Sequence, residues 1–68
     1  MKLKITITMD NAAFEAEGQT SRFRNADEPE RILRRLTIGW RGTTLESGDT
    51  WDLRDINGND VGEARVTR

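Results

Sequence analysis

DEPERILRRLTIGWRG, residues 27–42, is the one run in this chain that reads cleanly as an amphipathic helix, and the rest of the fold is arranged around it. Pro29 has no amide hydrogen and a fixed φ, which suits the first turn of a helix, where that hydrogen has no intrahelical partner. The helix is therefore expected to start near Glu28. Pro29 also disfavours helical angles at Glu28, so Glu28 or Asp27 is the flanking residue, and Asp27 with Glu30 has the form of a capping box. Ile32, Leu33, Leu36 and Trp40 form one apolar stripe, with Arg31, Arg34, Arg35 and Arg41 over the remaining surface. Acidic residues at the start and arginines toward the end match the partial charges of the helix dipole. Gly39 weakens the helix by about 1 kcal/mol relative to alanine, but Trp40 continues the stripe, so the stop is placed at Gly42.

Before this helix, KLKITITM (Lys2 to Met9) alternates strictly, with Leu3, Ile5, Ile7 and Met9 on one side and Lys2, Lys4, Thr6 and Thr8 on the other. That is a strand with one wet face, as in antiparallel sheets covered by helix on a single side. Asp10-Asn11 turns the chain, Ala12, Ala13 and Phe14 tuck inward, and Glu15 to Ala26 is mostly loop, within which Thr20 to Arg24 is a candidate short extra strand beside the first, with Phe23 inward. After the helix, Leu45 pins a connection that ends in a Ser47-Gly48-Asp49 turn. Thr50 to Ile56 and Asn59 to Thr67 then flank Asn57-Gly58, a pair suited to the positive φ angles of a two-residue hairpin turn.

A two-residue loop sets Leu53 opposite Gly62 and Trp51 opposite Ala64, and gathers Trp51, Leu53, Gly62, Ala64 and Val66 on one face. A three-residue loop opposing Leu53 with Glu63 would spoil that burial. The expected fold class is α+β: a single domain of order β-α-β-β, its three-stranded antiparallel sheet in spatial order 1-3-2 and one helix packed on one face. Leu3, Ile5, Ile7, Trp51, Leu53 and Val66 are expected to meet Ile32, Leu33, Leu36 and Trp40. Thr6, Thr8, Arg54 and Val61 are expected on the wet face.

Composition excludes more functions than it suggests. The 68 residues contain neither cysteine nor histidine, which removes disulfides, thiolate chemistry, imidazole bases and ordinary zinc sites. Ser21 and Ser47 lack an evident base and no glycine-rich phosphate loop follows a strand, so no enzyme and no cofactor is expected. The string DINGND resembles a calcium loop only superficially, because its glycine is misplaced and Val66 stands at the twelfth position. No membrane segment is present, and the alternation at residues 2–9 is wrong for a signal peptide, so a cytoplasmic protein is expected. A chain this short buries only about 60% of its unfolded surface, so a homodimer or a partner would add stability.

Two charged constellations are candidate partner-binding sites. Asp49, Asp52, Asp55, Asp60 and Glu63 crowd the hairpin, and such carboxylates imitate spaced phosphates, so they would suit the basic groove of a nucleic-acid-binding protein. Arg31, Arg34, Arg35 and Arg41 give a basic helix face suited to phosphates or an acidic partner. Each set is also what an ordinary solvated turn or helix face contains, with Glu30 and Arg34 forming an i, i+4 pair. The net charge of −1 argues against direct nucleic-acid binding. Trp40 and Trp51 would stack on bases if exposed, but both fall on core-facing positions.

KITITMDNAAFE (Lys4 to Glu15), PERILRRL (Pro29 to Leu36) and LRDINGNDVGEARV (Leu53 to Val66) together resemble a type of short protein from bacterial, phage and mobile-element genomes. Residues 16–26 depart from that pattern and read as an insertion. The shared strings are strand, helix and hairpin text and carry no active-site residues. By analogy the resemblance implies a small inhibitor of host defence, of the anti-CRISPR kind. The leading expectation is thus a protein-binding inhibitor that blocks a host nucleic-acid-binding defence complex. The alternatives are a nucleic-acid-binding or regulatory module using the arginine helix, and a structural homodimer pairing through residues 2–9.

Overall fold

The computed structural model describes residues 1–16 and 24–68. Strand β1 (Lys2–Ile7) is followed by a single-turn 3-10 helix (Ala12–Phe14), helix α1 (Asp27–Thr37), strand β2 (Thr50–Arg54) and strand β3 (Asp60–Thr67). The three strands form one antiparallel sheet in the order β1-β3-β2, so the α+β arrangement is as the sequence predicts. Arg24 makes an isolated antiparallel bridge with Glu15; otherwise the candidate extra strand at residues 20–24 lies outside the described residues.

Helix α1 is shorter than its apolar stripe suggests. It ends at Thr37, five residues before Gly42, because Ile38 turns extended (φ −60, ψ 129) and Gly39 follows at φ 88, a turn closed by the Trp40 N–H donating to the Thr37 carbonyl at 3.0 Å. The Thr37 hydroxyl also donates to the Leu33 carbonyl at 3.0 Å, competing with the helical ladder at its last turn. Trp40 thus lies beyond the helix, in a turn closed by Thr43 N–H to the Trp40 carbonyl at 2.9 Å. It still reaches the sheet, where its ring stands 5.0 Å from that of Trp51 at an interplanar angle of 53°. At the other end, the Asp27–Glu30 capping box does not form. Ala26 is the capping residue and makes no side-chain cap, while Asn25 Oδ1 accepts the Glu28 N–H at 3.0 Å in its place.

The hairpin keeps its expected register by an unexpected route. Asp55 N–H donates to the Asn59 carbonyl at 2.9 Å and Gly58 N–H to the Asp55 carbonyl at 3.0 Å, so the loop is Ile56-Asn57-Gly58, one residue longer than predicted. Gly58 has φ 84, and no non-glycine among the described residues has a positive φ, which removes the two-residue turn that needs one at Asn57. The extra residue is absorbed by a bulge: Arg54 pairs with Asp60 but Leu53 with Gly62, and Val61 is left between. Leu53 and Trp51 therefore still face Gly62 and Ala64. The bulge also turns Val61 inward to 6% exposure, contrary to its expected place on the wet face.

The core is Phe14, Ile32, Leu53 and Val61, with Ile7, Ala13 and Leu36 packed against it. Helix α1 packs on β2 and on the 3-10 turn, so it covers only one side of the sheet's apolar face. The expected contact of the helix stripe with all of β1 does not form: Leu3 is 44% exposed and Ile5 40%, and Leu33 on the helix is 37% exposed.

Candidate functional site

Two carboxylates hold the hairpin tip to the rest of the molecule. Glu28 is buried, and its Oε1 and Oε2 accept from Arg31 Nε at 2.9 Å and Arg31 Nη2 at 3.0 Å. Its Oε2 also accepts the Ile56 backbone N–H at 2.7 Å. The Arg31 hydrogen bonds and the Ile56 amide outweigh burial and hold the Glu28 carboxyl below its ordinary pKa; Arg31 is raised in turn. Asp55, also buried, accepts the Asn57 and Asn59 amides on Oδ1, and the Asn59 and Asn11 side-chain amides on Oδ2. Burial pushes the Asp55 pKa up, but the bonds from Asn59, Asn11 and Asn57 together bring it below its ordinary value. Asn25 completes the set by donating to the Ala13 and Glu15 carbonyls.

This network divides the predicted acidic site. Asp55 faces inward with both oxygens occupied, and Asp49 closes a turn by accepting the Glu46 N–H at 2.9 Å. Asp52, Asp60 and Glu63 remain exposed, and Asp52 stands directly opposite Glu63 across the β2–β3 ladder. Like charges so placed are destabilising. One row along, Lys4 stands directly opposite Arg65 across β1–β3. The outer face of the sheet is thus sorted into a basic row and an acidic row, joined by an Arg65–Glu63 contact at 3.4 Å. The hairpin register expected from sequence already sets Asp52 opposite Glu63, and the bulge preserves that pairing; Lys4 meets Arg65 through the separate β1–β3 register.

The predicted basic helix face is dispersed. Arg31 is held by Glu28 and also donates to the Arg54 carbonyl at 3.3 Å. Arg34 pairs with Glu30 at 2.7 Å as the i, i+4 spacing predicts, both well exposed, a contact worth a few tenths of a kcal/mol. Arg41 lies past the helix end. Arg35 remains, in a groove between α1 and the β2 edge that Arg31, Arg54, Leu36, Trp51 and Asp52 also line.

Among the described residues no group of His, Cys, Asp or Glu has the arrangement of a metal site, and no helix is long and apolar enough to cross a membrane. Comparison with protein-family models, curated proteins and solved structures gives no match to this chain.

Proposed function

We propose that this chain is a non-catalytic protein-binding inhibitor that docks through the outer face of its sheet. Its target is a basic surface of the kind a host nucleic-acid-binding defence complex, such as a CRISPR effector, uses to hold phosphates. The observation that carries this reading is the exposed Asp52–Glu63 pair, two carboxylates held side by side on a rigid ladder at a cost to stability, with Asp60 nearby. The lack of histidine and cysteine supports a role without chemistry. The resemblance to mobile-element proteins supports the choice of target class.

The test is phage plating on a strain with an active CRISPR system, paired with competition between the protein and DNA for the purified effector. Wild type should restore plating and displace DNA, and a variant with both Asp52→Lys and Glu63→Lys should do neither. Wild-type protein that leaves interference and DNA binding intact sinks the reading. The arginine-helix alternative predicts instead a salt-sensitive gel shift with DNA or RNA that is lost in Arg34→Glu/Arg35→Glu.

A further inference from the structure

Among the described residues, strand β1 pairs with β3 along one edge and with no strand along the other. In the β1–β3 ladder Thr8 N–H donates to the Val61 carbonyl, so the even-numbered residues of β1 bond to β3. Leu3, Ile5 and Ile7 consequently direct their N–H and C=O groups outward from the free edge of the sheet, where no hydrogen bond among the described residues meets them. Two of these three, Leu3 and Ile5, also have exposed side chains on the apolar face. An open edge flanked by exposed aliphatic side chains is a template for another strand.

We propose that the occupant is a second copy of this chain, its β1 pairing antiparallel with β1 in a register centred on Ile5. Charge selects the partner, and charge together with strand length selects the register. Centring on Lys4 would set Lys4 against its own copy, a direct like-charge contact. Centring on Thr6 draws in Met9, beyond the strand's end at Ile7. Centring on Ile5 pairs Leu3 with Ile7 and Ile5 with Ile5 across the dyad, exchanging two backbone bonds per pair and covering the exposed aliphatics. On the outer face the same register sets Lys4 against Thr6. Thr6 lies opposite Glu63, and Glu63 opposite Asp52. The basic row Arg65–Lys4 of each protomer therefore runs on into the acidic row of its partner, so the charge sorting that is unfavourable within one chain becomes complementary between two. This edge is distinct from the Asp52–Glu63 surface, and a chain that stays monomeric leaves the inhibitor reading standing.

Sedimentation equilibrium of the wild type should give the mass of one chain at low concentration and of two at high, with association weakening in high salt. The absence of cysteine permits a register test without background. Facing Cα atoms in such a pair lie about 5.5 Å apart, within disulfide range. Ile5→Cys should oxidise to a covalent dimer, Leu3→Cys alone should not, and Leu3→Cys mixed with Ile7→Cys should. A wild-type monomer mass at about 1 mM, where a contact of millimolar Kd is half formed, overturns the proposal. Equal cross-linking of Leu3→Cys and Ile5→Cys overturns it as well.

Discussion

Glu28 and Ile56 stand 28 residues apart in sequence, and the buried Glu28 carboxylate accepts the Ile56 backbone N–H at 2.7 Å. This contact ties the first turn of the helix to the tip of the hairpin, and Arg31 neutralises the carboxylate by bonding both of its oxygens.

Replacing Glu28 with glutamine keeps the shape but leaves one oxygen where there were two, so the new amide nitrogen meets an N–H that needs an acceptor. The expected loss is about 1–3 kcal/mol, the usual cost of a buried polar group left without its partner. Urea titration followed by tryptophan fluorescence measures it. A change below about 0.5 kcal/mol would mean that the contact adds nothing beyond an ordinary surface pair.

Acid should unfold the protein through the same residues. Glu28 and Asp55 both have folded-state pKa values below their ordinary ones, so their stabilisation is complete above the unfolded-state values near 4. It is lost as pH falls through the depressed folded-state values. With no histidine in the chain, stability between about pH 5 and pH 8 should be nearly flat. Thermal melts across pH check both halves, and a midpoint that moves sharply between pH 6 and 7 would contradict them.

Gly62 should tolerate no side chain. A Cβ there would stand 1.9 Å from the Thr6 carbonyl oxygen and 2.9 Å from its carbon, both backbone atoms of the neighbouring strand. Gly62→Ala is expected to cost more than about 2 kcal/mol, read by chemical denaturation. Wild-type stability in that variant would show that β1 can move aside.

Gly58 has space around it but sits at φ 84. Alanine there should cost roughly 1–2 kcal/mol from backbone strain alone, and asparagine less, because Asn tolerates the left-handed region better. Equal losses for the two variants would point to a contact instead of strain.

The architecture was legible because the strand alternation, the helix stripe and the hairpin signal are local patterns that agree with one another. Single residues are less legible than these patterns. Gly39 read as a weak point because Trp40 extends the stripe, yet Trp40 reaches Trp51 from a turn, where helical periodicity no longer applies. Asn57-Gly58 marked the correct corner, but Asp55 captures the Asn57 and Asn59 amides and holds a longer loop, a preference that a dipeptide rule omits. Asp55 reads as a surface carboxylate from sequence, yet it is buried. Its burial depends on Asn11, 44 positions away, and no sequence window spans that contact. The acidic row of the outer face was legible, since the expected hairpin register already opposes Asp52 with Glu63, whereas the basic row depends on the β1–β3 register, which no local turn sets.

The joining of the hairpin tip to the helix start has a consequence for hydrogen exchange. The amides of Ile56, Asn57 and Asn59 are capped by carboxylates of Glu28 and Asp55, and that of Glu28 by Asn25. Each of these protons exchanges when its acceptor lets go, and the Glu28 carboxylate couples the helix start directly to the loop that Asp55 holds. Segments half a chain apart should therefore show one common protection factor and lose it in a single opening event, with Glu28→Gln lowering protection at the loop as much as at the helix.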